Sequence, residues 1–195
     1  MRVIGLTGGT GSGKSIVSAI LKEKGAFIID ADSIAHDIIL KGKPAYNELI
    51  GFFGDSILGN NREIIRKKLG EIVFNEGKDK LNFLNECTHK YIYEEIKNWV
   101  EESEKNKISV VVIDAPLLLE GNFKNLCNEI WAIYANEDVR LKRIMERDSI
   151  DKEHALNRIN AQRTWNNYKK WADIIINNSE DIESVKAQVD AYYIV

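Results

Sequence analysis

Hydrophobic residues in this chain fall into short unbroken runs separated by longer stretches where they recur at helical spacing. Arg2-Val3-Ile4-Gly5-Leu6, Ala26-Phe27-Ile28-Ile29, Ile108-Ser109-Val110-Val111-Val112-Ile113, Ile130-Trp131-Ala132-Ile133-Tyr134 and Asp173-Ile174-Ile175-Ile176 read as five buried strands. Between them, Ile16 to Lys22, Ser33 to Leu40, Ala45 to Phe53, Lys78 to Glu104, Glu137 to Asp148 and Ile182 to Tyr193 read as helices. Pro44 opens the third of these and Gly54 closes it. Asn60 with Glu63 matches a helix-start box leading into Ile64-Ile65, Leu69 and Ile72-Val73-Phe74. On the long helix, Leu81, Leu84, Ile92, Ile96 and Val100 keep one apolar stripe. Strands that alternate with helices predict an α/β fold with a parallel, helix-covered sheet.

The turn between the first strand and first helix carries the chemistry. Gly8-Gly9-Thr10-Gly11-Ser12-Gly13-Lys14-Ser15 fits G-x-x-x-x-G-K-[ST], and its strand-before, helix-after context is the one a phosphate-cradling P-loop requires. Glycines let backbone N–H groups approach phosphate oxygens without a Cβ in the way, and the helix aims its partly positive N-terminus at the same anion. Lys14 is placed to reach the β- and γ-phosphates, and the Ser15 hydroxyl to ligate Mg²⁺. Residues 1–33 and 107–195 then form the P-loop core, a five-stranded sheet, and residues 34–106 a helical insertion for the second substrate.

Three further groups sit where ligands of open α/β sheets bind. Asp30-Ala31-Asp32 ends the second strand; on an extended segment its two carboxylates point the same way. Asp114 ends the third strand, which suits either a Walker-B contact to Mg²⁺ or a chance carboxylate at a strand end. Arg140, Arg143 and Arg147 occupy one face of the helix Glu137 to Asp148, with Leu141, Ile144 and Met145 opposite. Such a face is either a solvated basic surface or part of a lid, about 138–170, closing over ATP and excluding water.

Composition narrows the alternatives. The net charge is −3, yet residues 140–170 hold nine Lys/Arg against four Asp/Glu, a local +5 that leaves −8 elsewhere. That pattern suits a small polyanionic ligand and gives no reason to expect nucleic acid or an anionic membrane. Cys87 and Cys127 form no metal or disulfide pattern and read as packed thiols. No 18-residue apolar run and no secretory signal are visible, so a cytoplasmic protein is expected. A GTPase would carry D-x-x-G after its third-strand Asp and an N-K-x-D motif. Here Asp114 precedes Ala115-Pro116-Leu117, and N-K-x-D is absent. A nucleotide-gated binding module has no need of the Asp30/Asp32 pair, whereas a small-molecule kinase needs an acceptor site, a carboxylate and a basic lid.

Taken in order, Ile4 to Ser15, Ile29-Asp30-Ala31-Asp32 with Ala35-His36, Ile65 to Leu69 with Val73-Phe74, Leu84-Asn85 through His89, Asp114 to Glu120, Leu141-Lys142-Arg143 with Arg147-Asp148, and Ala172 to Asn178 resemble the dephospho-CoA kinase family over essentially the whole chain. The resemblance implies ATP- and Mg²⁺-dependent phosphorylation of the ribose 3′-hydroxyl of dephospho-CoA, by a monomer or weak homo-oligomer. It implies Asp32 as catalytic carboxylate, working with Lys14, Arg143 and Arg147. It also implies Gly9, Thr10, Gly11, Ser12, Gly13, Lys14, Ser15, Ile16, Arg140 and Asn178 at ATP, with Asn178 near the adenine. Asp32, Arg66, His89, Pro116, Leu117 and Glu120 fall at the acceptor, and Ser15 and Asp114 at the metal. Ile16 and Thr10 depart from the family pattern, as does Lys90, which stands where Pro usually follows the His and weakens any role for His89. A nucleoside or other small-alcohol kinase on the same core is the alternative.

Overall fold

The computed structural model describes residues 1–75, 77–116, 118–119 and 122–194. Strands β1 (Arg2–Gly8), β2 (Phe27–Asp30), β3 (Val110–Asp114), β4 (Glu129–Tyr134) and β5 (Ile174–Asn177) form one five-stranded parallel sheet in the order β2-β3-β1-β4-β5. The helices are α1 (Lys14–Glu23), α2 (Ala31–Asp37), α3 (Pro44–Phe53), α4 (Arg66–Asn75), α5 (Lys78–Lys105), α6 (Glu137–Asp148), α7 (Lys152–Asn160), α8 (Trp165–Trp171) and α9 (Ile182–Tyr192). Two compact units result, Met1–Ile29 with Val100–Val195, and Asp30–Trp99.

In the first unit, β1 is the axis. It pairs with β3 on one side, Ile4 opposite Val112, and with β4 on the other, Leu6 opposite Trp131. Alternate residues share a face, so Ile4 and Leu6 join Val110, Val112, Trp131 and Ile133 in one apolar layer. Val17, Ile20 and Leu21 of α1 and Val185 and Val189 of α9 cover it. The other face is tight at Gly5, where a Cβ would fall 2.5 Å from Leu118 and 2.8 Å from the Cys127 sulfur. Burial pushes the Cys127 thiol up to about 12, and burial likewise lifts Cys87 to about 11, so both are packed, unreactive thiols.

The apolar side of α6 does not join that layer. Leu141 and Ile144, with Met145 beside them, pack on Ala155 and Ile159 of α7, a small core distinct from the layer under the sheet. A helical pair with its own core can carry polar side chains to the end of the sheet without being part of it.

In the second unit, Pro44 at the first turn and Gly54 at φ 69° bound α3 as its sequence predicts. The Asn60–Glu63 box is not a helix start. Residues 58–64 make a tight antiparallel turn, with Leu58 bridged to Ile64 and Arg62 in the left-handed region, and α4 begins only at Arg66. The Asn61 side chain takes Glu63 as its partner instead, because a two-residue turn contact forms locally and outcompetes the cap. Among the described residues no helix is long and apolar enough to cross a membrane.

Leu6 is fully enclosed at the centre of β1. Leu6→Ala is therefore expected to cost about 2–5 kcal/mol in urea unfolding, and a cost below about 1 kcal/mol would contradict this packing.

Candidate active site

The site starts from one turn. The Ser12 N–H donates to the Gly9 carbonyl at 3.1 Å, and Gly11, third of the four residues, has φ 74°. Thr10 is not in the left-handed region, so residues 9–12 make a type II turn, whose third position needs glycine. Gly13 at φ 86° then bends the chain into α1 as its N-cap. Glycine serves a second purpose here, since a Cβ on Gly13 would fall on the Asn178 amide nitrogen.

This geometry sorts the backbone groups of the turn by direction. Each carbonyl from 9 to 13 has a donor: Ser12 N–H for Gly9, Arg140 Nε for Thr10 at 2.9 Å, Arg143 for Gly11 at 3.5 Å, Asn178 Nδ2 for Ser12 at 2.8 Å and Ile16 N–H for Gly13 at 3.0 Å. Among the described residues nothing accepts from the N–H groups of Gly11, Gly13, Lys14 or Ser15. Donors left unpaired at a helix N-terminus are an anion site. Among the described residues the buried Ser12 hydroxyl has no hydrogen-bond partner, one more polar group left unmatched beside the turn.

Lys14 and Asp114 form an ion pair, both side chains mostly enclosed. The lysine is thus held at the mouth of the turn rather than splayed into solvent. Ser15 is exposed beside it, so a hydroxyl and a carboxylate offer hard oxygens to a cation. Among the described residues no cluster of three His, Cys, Asp or Glu could cage a metal by itself. A two-oxygen site suits Mg²⁺, which keeps waters and shares ligands with phosphate.

The chain belongs to the dephospho-CoA kinase family. The family's profile matches residues 2–184. A dephospho-CoA kinase of Carboxydothermus hydrogenoformans is 46% identical over 187 residues, 96% of this chain and 90% of that one. Among solved structures, the Campylobacter jejuni dephospho-CoA kinase is 30% identical with TM-score 0.73, covering 98% of this chain and 96% of its own. A Thermus thermophilus protein superimposes at TM-score 0.81 with 26% identity, covering 98% and 95%. The protein is thus an ATP-dependent phosphotransferase of coenzyme A synthesis.

In this kinase the arginine face of α6 divides. Arg140 and Arg143 lie on the P-loop carbonyls, and burial lowers the Arg140 pKa from its ordinary value. Arg147 does not join them. Its guanidinium makes two bonds to Asp148, at 2.8 and 2.9 Å, and Arg158 of α7 pairs with the same carboxylate. Hydrogen bonds from Arg147 hold Asp148 below the usual carboxylate range, and the same bonds raise Arg147. A neighbouring carboxylate with two charged partners outcompetes a position seven residues along the helix.

Asn178 is 2% exposed; its Nδ2 donates to the Ser12 carbonyl and its Oδ1 accepts from Arg143 at 3.5 Å, so in this structure its side chain buttresses the P-loop. Asp32 is not on an extended segment as its spacing suggested. The Asp30 carboxylate caps α2 by accepting from the Asp32 and Ser33 N–H groups, so the chain turns helical at Ala31 and the two side chains diverge. Asp32 itself is exposed in the first turn of α2.

The remaining predicted residues are scattered in kind. The Pro116 carbonyl accepts from Thr7 Oγ1 at 3.2 Å, Arg66 opens α4 and reaches the Ala35 carbonyl at 3.4 Å, and His89 is half-buried on α5. Asp151 caps α7, its carboxylate accepting from the His154 N–H at 2.9 Å. Leu117 and Glu120 lie outside the described residues. Gln162, after α7, went unnoticed in the sequence; its Oε1 accepts from the Thr10 N–H at 2.6 Å. No motif or spacing signals a lone glutamine in a polar loop.

Asn178→Ala leaves the enclosed Ser12 carbonyl without its donor. The expected loss is about 1–3 kcal/mol in chemical denaturation, whereas a change within about 0.5 kcal/mol would mean that the carbonyl is supported in another way.

Proposed function

We propose that the turn at residues 9–15 grips the triphosphate of ATP while Asp32 aligns and deprotonates the ribose 3′-hydroxyl of dephospho-CoA, giving coenzyme A and ADP. One observation carries this reading: the turn's carbonyls are all held from behind, while the N–H groups of Gly11, Gly13, Lys14 and Ser15 stay open to an anion. Preorganised donors of this kind stabilise charge as bonds change without having to reorganise.

Lys14 exchanges Asp114 for phosphate oxygens when nucleotide arrives, freeing the Asp114 carboxylate. Ser15 and Asp114 would together hold Mg²⁺, whose positive charge would offset that of the phosphate oxygens. Ile16 continues the helix that presents these groups. Asp32 leaves β2 two residues beyond the strand's end, and parallel strands finish at the edge where ligands of such sheets bind. An exposed aspartate there can accept the hydroxyl proton or hold the oxygen for in-line attack.

Residues 138–170 act as a lid that excludes water, so that phosphate passes to the alcohol rather than to hydrolysis. Arg140 and Arg143 stay with the P-loop, and Arg147 turns from Asp148 to the phosphates on closure. Arg66, His89, Pro116, Leu117 and Glu120 receive the acceptor, with residues 34–106 forming its binding subdomain. The enzyme works in the cytoplasm as a monomer or weak homo-oligomer on a small molecule, without nucleic acid; the chain's acidic balance supports that choice.

ADP release from Mg-ATP should depend on dephospho-CoA and not on adenosine. Release with adenosine alone would point instead to a nucleoside kinase, and no release with any acceptor to a binding module. Asp32→Asn should lower turnover by about 10²-fold with ATP affinity kept; unchanged turnover removes Asp32 from the chemistry. Lys14→Ala should weaken ADP binding and turnover together in calorimetry and a coupled assay, and wild-type values for both would refute the P-loop role. Arg147→Ala should reduce kcat more than ATP affinity, while equal activity would leave it as a structural partner of Asp148.

A further inference from the structure

Two N–H groups of the P-loop turn are taken, Ser12 by the Gly9 carbonyl inside the turn and Thr10 by a side chain from outside it. Thr10, second residue of the turn, donates its N–H to Gln162 Oε1 at 2.6 Å and accepts from Arg140 Nε at its carbonyl. The two successive peptide groups that meet at the Thr10 Cα are therefore both held from outside the turn, the 10–11 group by Arg140 of α6 and the 9–10 group by Gln162 from the residue pair following α7. Glycine at position 9 makes room for this. A Cβ there would lie 2.8 Å from the Arg140 guanidinium and 3.3 Å from Gln162 Oε1. Gly9 is not in the left-handed region, so close approach, not backbone conformation, is what calls for glycine at this place.

We infer that Gln162 is a positioning residue for nucleotide binding: with Arg140 it clasps Thr10 by the peptide groups on either side of its Cα and fixes the type II turn in the shape that aims the open amides at phosphate. It rests on the P-loop reading above and goes beyond it. The residue does not touch phosphate; it acts through the turn. A loop most of whose amides must remain unpaired keeps few backbone bonds of its own, here Ser12 to Gly9, so side chains supply the rest of its order, and preorganisation appears as affinity. The clasp also ties the α6–α7 pair to the turn, so the arginines on α6 keep their register with it.

The test uses the bond's two ends. Gln162→Ala removes the acceptor. Thr10→Pro removes the donor, and proline suits the second position of a type II turn. ADP affinity by calorimetry, KM for both substrates, kcat and thermal unfolding are measured for both single variants and the double variant. Gln162→Ala is expected to weaken ADP about tenfold and raise KM for ATP to match, with KM for dephospho-CoA and the melting temperature nearly unchanged. Made in the Thr10→Pro background, the same substitution should change ADP affinity by less than twofold. Gln162→Glu, which keeps an acceptor oxygen, should recover part of the turn's order as read by amide exchange at Gly11. An equal tenfold loss in both backgrounds, or unchanged ADP affinity in Gln162→Ala, overturns the inference. If Gln162→Ala does not fold, Thr10→Pro alone decides: its ADP affinity must fall if the clasp matters. Wild-type protein that fails to bind ADP refutes the P-loop reading itself, and that result is separate from any of these.

Discussion

A phosphate-binding loop must leave its best hydrogen-bond donors unsatisfied, and the arrangement of the site follows from that constraint. Buried polar groups ordinarily find partners within the protein. Here the carbonyls of residues 9–13 do so, while four of the amides beside them do not. The loop therefore cannot stabilise itself with a backbone ladder, and residues distant in sequence supply what it lacks. Asn178 comes from beyond β5, Arg140 and Arg143 from α6, Gln162 from beyond α7. Each is tied to a different peptide of the turn. Glycines at 9 and 13 give these side chains space, the glycine at 11 gives room to the α6 backbone at Arg140, and those at 11 and 13 also supply positive φ.

This division of labour changes what the basic segment is for. Its arginines read as a surface over a polyanion, but two of them spend hydrogen bonds on the loop's carbonyls. A guanidinium there has two effects. It satisfies an acceptor that would otherwise be stranded, and it raises the positive potential behind the open amides. Arg147, exposed and paired with Asp148, is the one of the three whose present bonds are made to a carboxylate at the surface rather than to the loop. The small apolar core shared by α6 and α7 lets that pair present charged residues to the turn while contributing little to the layer beneath the sheet.

The family's chemistry sits on this frame in a consistent way. The strand that leads into the turn is the central one, paired on both sides and enclosed on both faces, so the turn is anchored where the sheet is stiffest. Lys14 at the start of α1 and Asp114 at the end of β3 neutralise each other, which keeps either charge from being buried alone. A lysine paired in this way has a partner to leave and a phosphate to move to.

The strands, the P-loop and most helix limits were legible in the sequence because they depend on local periodicity and turn chemistry. Apolar runs of four to six residues, Pro44 and Gly54 around α3, and the glycine pattern at 8–15 each act over a few neighbours. The failures are equally local in origin: Asn60–Glu63 satisfies a cap pattern, yet a turn contact with Asn61 takes the Glu63 side chain, and Asp30 caps α2, which ends the extended segment two residues too soon for its spacing to apply. What only the tertiary structure decided is which side chain meets which peptide. Asn178 under Gly13, Gln162 on Thr10 and Arg147 with Arg158 on Asp148 join residues 10 to 166 positions apart or pick between neighbours of like chemistry. A hydrogen bond is set by distance and angle in space, and a one-dimensional pattern carries neither.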